Sequence, residues 1–386
     1  MDGIDKEIVV RDDPVPGFAG IVRAGPLLFT SGCDGHRDPA DGAISADLWG
    51  DADRQTAISY GRVAALLEAA GVAPAAVVRI DHYVSSMDWI DRRQTFRQDL
   101  FGRPAPQAST GVAAKLSGIN MLTTAVVAAA DPADHEVLVT GDAYGMGSIS
   151  GVVRGGPLLF LSGVRGYRDH LADAAVAEET ADAFAAQTAS CYRLIEHLLD
   201  RAGAGPEQVL RLDCYLRDRA RIAEEQRLRR RALGDAAVAA TMIPLPLGMR
   251  GEVEITSLAL VPGREKEVRA RDAAGDALAV SGAGYLFLGE CRGAADAMTG
   301  APQAALAGDV EGQIDHALAT LEARLAAAGS DRSRLVRLDV FLRDVNAQDR
   351  FLEKARDRLG DDPPALCMTG AELAGLDEVS LCAIAV

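Results

Sequence analysis

The chain has 386 residues, 48% of them hydrophobic and 25% charged, with aromatics at 5%. This is the composition of a folded globular protein with room for two or three domains. A formal net charge of −16 excludes a nucleic-acid binder that works through a broad basic surface, yet leaves room for a small anion held by a local arginine. The six cysteines, Cys33, Cys191, Cys214, Cys291, Cys367 and Cys382, contain no CxxC pair, which excludes a zinc ribbon or a dithiol redox motif. They read as buried thiols in a reducing compartment. No apolar run reaches the roughly 18 residues of a membrane span. The acidic start, Met1 to Glu7, lacks the apolar core of a secretory signal, so a cytoplasmic protein is expected. The histidines are too scattered for a metal site, and neither metal nor cofactor is expected.

In chain order, three stretches repeat one another. The first opens with an apolar strand over residues 27–35, matched by 158–166 and 285–293. Each ends on a shared glycine (Gly35, Gly166, Gly293), the mark of a turn or a backbone requirement. A helix follows, with a shared glutamine near its start: Gln55, Gln187 and Gln313. Its apolar stripe is Val63, Leu66, Leu67 and Ala70 in the first copy and Ile195, Leu198, Leu199 and Ala202 in the second. In the third, Leu321, Leu325 and Ala328 hold the stripe and Arg324 interrupts it. Gly71, Gly203 and Gly329 stop these helices.

Next comes a strand reading R-[IL]-D-x-[YF]-[VL]: Arg79 to Val84, Arg211 to Leu216, and Arg337 to Leu342. The pattern then predicts a second helix over 89–101, 221–233 and 347–359. Strands follow over 108–114 with 121–129, 240–246 with 253–261, and 367–372 with 379–386. Boundaries near 133 and 264 give three domains: 1–133, 134–264 and 265–386. Each is an α+β unit with helices on one face of a sheet. Three such sheets can cover their open faces by closing around one axis, as an intrachain pseudo-trimer with a central β-barrel and outer helices. A monomer, or a small oligomer of whole chains, is expected.

Period-two alternation puts Val78, Ile80, His82 and Val84, with their counterparts, against the helices. There His82 reads as a satisfied core histidine. Arg79, Asp81 and Tyr83, with their counterparts, take the other face. Six charges then meet inside the closed barrel, and they must pair there.

The strand ending in Ser31-Gly32, the helix ending in Ala69-Ala70-Gly71, and Asp213-Cys214-Tyr215-Leu216-Arg217-Asp218 together resemble the RidA family (also called YjgF/YER057c/UK114). Phe341-Leu342-Arg343-Asp344 matches equally well, and the resemblance runs through the chain three times. It implies a chorismate-mutase-like fold, ligand clefts between neighbouring units, and hydrolysis of enamines or imines such as 2-aminoacrylate. It also implies an arginine early in the penultimate strand that holds the substrate carboxylate, and a last-strand glutamate that positions water. The arginine position falls at Gln107 or Ala108, at Thr241 or Met242, and at Ala365 or Leu366. The glutamate position falls at Ala125, Leu258 and Cys382. The standard site is thus incomplete in every copy.

Chemistry is therefore expected where the copies disagree. Arg165 and Arg292 stand where the first copy has Asp34, and an arginine fork suits an anion. Glu290 beside Cys291 is the candidate catalytic pair, and Gln107, Ser31 and Phe18 complete the candidate ligand-binding set. The expected function is a specialised RidA-like hydrolase or deaminase acting on a small imine, enamine or related substrate between repeats. The alternatives are chorismatase-like or other biosynthetic chemistry on the same fold, by analogy alone, and a non-catalytic small-molecule binder.

Overall fold

A computed structural model describes residues 3–11, 14–38, 43–89, 92–102, 106–146, 149–172, 174–176, 183–234, 236–248 and 250–386. The first stretch runs β1 (Lys6–Arg11), β2 (Ala19–Ala24), β3 (Leu27–Thr30), β4 (Cys33–Asp34), α1 (Ala52–Ala69), β5 (Val77–Val84), α2 (Arg92–Phe101), β6 (Ala108–Ala113) and β7 (Leu122–Ala129). The order returns as β8 (His135–Thr140), β9 (Ser150–Gly155), β10 (Leu158–Leu161), β11 (Val164–Arg165), a small hairpin of β12 (Arg168–Asp169) and β13 (Ala174–Ala175), α3 (Ala183–Arg201), β14 (Val209–Leu216), α4 (Ile222–Leu233), β15 (Ala239–Pro244) and β16 (Val253–Leu260). It returns again as β17 (Lys266–Arg271), β18 (Ala277–Gly282), β19 (Tyr285–Arg292), α5 (Val310–Ala327), β20 (Leu335–Leu342), α6 (Gln348–Leu359), β21 (Ala365–Gly370) and β22 (Val379–Ala385). The helices and late strands fall within a few residues of their predicted places. Ile90 and Asp91 of the second predicted helix, and Pro104-Ala105 before β6, lie outside the described residues. The sequence announces one apolar opening strand per stretch, and the structure places two more before it: β1 and β2, β8 and β9, β17 and β18. β1, β8 and β17 are half-exposed edge strands, too polar to announce themselves by alternation. Among the described residues no helix is long and apolar enough to cross a membrane.

The shared glutamine and glycine lock each first helix to its sheet. Gln55 is fully buried. Its amide donates to the Leu48 and Ile119 carbonyls and accepts from Met121 N–H. Gln187 and Gln313 do the same for the turns before β16 and β22. A Cβ on Gly35, Gly166 or Gly293 would press to 2.4, 2.6 or 2.7 Å of that glutamine. Glycine is required here by close approach, not by a turn. Helix starts are capped where the sequence allows it, by Asp51 accepting from Arg54 N–H and Asp309 from Gly312 N–H.

Each R-x-D strand lies between the last strand, to which it is antiparallel, and the penultimate strand, to which it is parallel. Simple alternation fails at one place. A bulge falls between Val77 and Arg79, Val209 and Arg211, and Leu335 and Arg337. It turns Val78, Leu210 and Val336 away from the helices, into one apolar cluster with Phe29, Phe160 and Phe287. Beyond the bulge alternation resumes, and Ile80, Leu212 and Leu338 pack against the helices. His82 is buried there, its Nε2 2.7 Å from Tyr60 Oη.

The six charges on the other face do pair, across stretches as well as within them. Arg79 donates to Asp81 at 2.8 Å, Arg337 to Asp339 at 2.8 Å and Arg211 to Asp213 at 2.9 Å. Arg337 also reaches Asp81, and Arg211 reaches Asp339, each at 3.1 Å. Burial opposes the charge of Arg79, but Asp81 and Asp213 outweigh it and raise its pKa. Burial likewise opposes ionisation of Asp339, while Arg337 and Arg211 hold its pKa below the usual carboxylate range.

The expected backbone barrel is not present, because the hydrogen-bonded sheets do not close. The first and third stretches share a 13-stranded sheet, joined through β2 and β21 at Ala19 and Ala365. The second stretch keeps a separate 7-stranded sheet. Two seams are stitched by a serine. Ser31 Oγ donates to the Ala19 carbonyl and accepts from Leu366 N–H, both at 2.7 Å. Ser162 Oγ donates to the Ser150 carbonyl at 2.6 Å and accepts from Ser109 N–H at 2.8 Å. At the third seam the corresponding residue is Gly289, with no hydroxyl to offer.

Two stability measurements test this account. Asp339→Asn leaves two buried guanidinium groups without their shared anion and is expected to cost about 3–5 kcal/mol by urea denaturation at neutral pH. Because the folded pKa of Asp339 is depressed, its contribution is complete above the unfolded value of about 3.9 and is lost as pH falls through the folded one. The difference between native and variant must therefore shrink in acid. Ser31→Ala and Ser162→Ala each strand a buried N–H and are expected to cost about 1–3 kcal/mol.

Candidate functional site

The three seams differ most at the residue just before each opening hairpin. It is Phe18 before β2, Ile149 before β9 and Asp276 before β18. Phe18 is buried and joins the third stretch's core with Leu352, Ala355 and Leu366. At this seam a space of only about 30 Å³ remains, next to Gly32, Asp34 and Thr123. Asp34 there accepts from Asn120 Nδ2 and Thr123 Oγ1. At the seam of the first and second stretches a cavity of about 170 Å³ is lined by Arg97, Arg165, Tyr167, His170 and Glu254. Arg165 meets Glu254 at 3.0 Å and donates to the Gly111 carbonyl at 3.1 Å. The Glu254 charge raises the pKa of Arg165.

At the seam of the second and third stretches a cavity of about 780 Å³ opens between α4 with β15 on one side and β18 with β19 on the other. Gly289 and Glu290 stand where the stitched seams have serine and glycine. Asp276 turns to the surface and pairs with Arg230 at 2.5 Å. The walls carry Arg219, Arg229, Arg230, Arg271, Arg292 and Arg324 against Asp272, Asp276 and Glu290. A chain of net charge −16 thus gathers a positive excess in the largest of these three seam cavities, the setting for an anionic ligand.

Glu290 is partly buried in this wall. Its Oε1 accepts from Ser380 Oγ at 2.8 Å. Burial pushes its carboxyl pKa up, against the pull of Arg292. Arg292 is held by Asp377 at 2.6 Å. Arg324, which broke the helical stripe in the sequence, is buried and donates to the carbonyls of Glu290 at 2.6 Å and Ala297 at 3.0 Å. It fixes the irregular stretch of β19 that carries Glu290, where the ladder shifts between Leu288 and Cys291.

The predicted site residues are therefore divided among seams. Glu290 and Arg292 share the large cavity, and Arg165 lines the smaller one. Cys291 alternates to the opposite side of β19, fully buried in the third stretch's core. Burial raises its thiol pKa, and the residue is not part of the cavity lining. Gln107 is buried behind β6, outside both cavities, with its carbonyl accepting from Ser150 N–H. Ser31 and Phe18 close a seam instead of lining a ligand site.

Three residues of these walls were missed. Arg229 sits in an arginine-rich run that reads as a solvated helix face. Arg324 was seen only as a flaw in a stripe. Glu254 was overlooked because the last-strand position was counted to Leu258, whereas the strand register places Glu254 opposite Arg165.

No protein-family model matches the chain, and no curated protein does. Solved structures do match. A chorismatase crystal structure aligns over 81% of this chain and 93% of its own at a TM-score of 0.53 and 17% identity. A YjgF/YER057c/UK114 family member of Mycobacterium tuberculosis is 28% identical, covering 33% of this chain and 99% of its own at a TM-score of 0.27. RidA of the Antarctic bacterium Psychrobacter sp. PAMC 21119 is 22% identical, covering 30% and 90% at 0.27. At these identities the likeness is one of fold: this chain shares that of a chorismatase over most of its length, with RidA-type structures each matching about a third of it.

Proposed function

We propose that the chain is an acid–base hydrolase acting on a small anionic molecule in the cavity between the second and third stretches, with Glu290 as proton donor. One observation carries this reading: a carboxyl with a raised pKa lines a large cavity that is rich in arginine. Burial raises the carboxyl pKa of Glu290, and the Ser380 bond fixes its orientation. Arg292 and its neighbours hold substrate carboxylates.

The substrate class is an enamine or an enol ether. Glu290 gives its proton to the double-bond carbon, which leaves a cation on the carbon bearing nitrogen or oxygen. Water adds to that carbon and passes a proton to the Glu290 carboxylate, which restores the acid. The resulting carbinolamine or hemiketal collapses to a ketone, with ammonia or an alcohol as leaving group. The arginines, the chorismatase-like fold and the absence of a buried nucleophile in this mechanism are mutually consistent. We further propose that residues 1–133, 134–264 and 265–386 are three units of one intrachain pseudo-trimer, whose central contacts are side chains and whose working compartment is the cytoplasm.

The test is to assay the protein with chorismate, and with imines released by an amino-acid oxidase, following keto acid and ammonia. Native protein is expected to accelerate one of them. Glu290→Gln is expected to lower kcat by about 10²–10⁴-fold with KM little changed. Because the protonated form is the donor, kcat must fall as pH rises through a pKa above the usual 4.3 or so of glutamate. Full activity in the glutamine variant would refute the role of Glu290. Failure with both substrates would favour the binding reading, in which a ligand raises Tm without turnover. Light scattering is expected to give one chain, 40.5 kDa, or a small multiple. An obligate trimer of whole chains would contradict the pseudo-trimer.

A further inference from the structure

Behind the wall of the large cavity, the second stretch buries an ionic cluster in its helix–sheet core. Glu225 of α4 is fully buried. Its Oε1 accepts from Tyr192 Oη at 2.5 Å and lies 3.5 Å from Cys214 Sγ. Its Oε2 is 3.4 Å from Arg229 Nη1, one turn along the helix. Arg229 is itself buried to 7% exposure, yet it lines the cavity; burial opposes its charge, and Glu225 together with the neighbouring groups raises its pKa.

The third stretch shows that the fold does not need this cluster. Counting back from Gly234 and Gly360, and along the matching helix and strand, the corresponding residues are Phe351, Ala355, Leu318 and Val340. All four are buried in one apolar core. Apolar replacement of a buried ion pair is commonly neutral or stabilising. The second stretch therefore keeps its charges where apolar side chains would hold the structure as well. Of the four polar groups, Arg229 alone reaches the cavity.

We infer that Arg229 is an oxyanion-binding group of the large cavity, and that Glu225, braced by Tyr192, is the positioning residue that holds its guanidinium in place. The ligand chemistry is a carboxylate or a phosphate met by a fixed arginine fork. This rests on the reading of that cavity as the ligand site. It does not require Glu290 to transfer a proton, so a fully active Glu290→Gln variant would leave it standing.

The test uses the full chain, with pyruvate and inorganic phosphate as separate probes in calorimetry and urea denaturation alongside. The native chain is expected to bind at least one probe, and the preferred probe identifies the oxyanion. A fourfold variant that copies the third stretch, Tyr192→Leu, Cys214→Val, Glu225→Phe and Arg229→Ala, is expected to match or exceed the native urea midpoint. Its affinity for the probe should fall roughly tenfold or more, as loss of a charged hydrogen-bonding partner implies. Arg229→Lys keeps the charge beside Glu225 but loses the fork, and it should weaken binding several-fold while the protein stays folded. No binding by the native chain, or native affinity in the folded fourfold variant, would overturn the inference. A fourfold variant of much lower stability would assign the cluster to the fold and overturn it as well. Should that variant not fold at all, undiminished affinity in Arg229→Lys decides against it.

Discussion

The structure depends on six charges that meet at its centre. Three arginines and three aspartates face one another around a space of only about 30 Å³, and each guanidinium finds a carboxylate on its own strand. Two of them reach into the next stretch as well. Buried charges are tolerable only when every one is paired. The R-x-D strands must therefore come together in one relative arrangement. The apolar side chains of Val78, Leu210 and Val336, turned inward by a shared bulge, sit beside this ring and would fit many arrangements. The ring supplies the geometry that apolar packing leaves open. It does so even though the backbone ladders remain two separate sheets.

Because the same Arg–Asp pair recurs on each of the three central strands, the seams outside them are free to diverge. The first and third stretches meet over Phe18, and the Ser31 stitch leaves almost no space. The first and second meet over the Ser162 stitch but leave a small cavity occupied by an ion pair. The second and third have neither a serine nor an apolar plug, and there the largest of the three seam cavities opens. Gly289 stands in place of the serine and Asp276 in place of the apolar residue.

The sequence revealed the architecture better than the site, for a physical reason. Periodicity, glycine stops and a motif repeated three times are local signals, and they located α1, α3, α5 and the late strands to within a few residues. The central pairing of Arg and Asp followed from alternation alone. The bulge was invisible because it is set by the partner strand, so Val78 was assigned to the wrong face. Open sheets also escaped notice, since closure depends on backbone spacing at the seams. The site required knowing which side chains share a space. Cys291 is adjacent to Glu290 in sequence but opposite to it on a strand, whereas Arg229 and Arg324 are distant in sequence and line the same cavity as Glu290.

Charge therefore has two distinct uses in this chain, separated by symmetry. Charges repeated in all three stretches, such as Arg79 with Arg211 and Arg337, serve the assembly, since every copy needs the same contact. Charges found in one stretch only cannot be serving a contact common to all. Glu290 has glycines as its counterparts, Gly32 and Gly163, and Arg324 replaces the leucines Leu66 and Leu198. Both substitutions replace small or apolar groups with groups that are costly to bury, and both fall on the same cavity. Two such costs at unrelated points would be noise. Their convergence on the seam that lost its serine stitch makes the third stretch's departures one coordinated change, which opened a cleft and charged its walls.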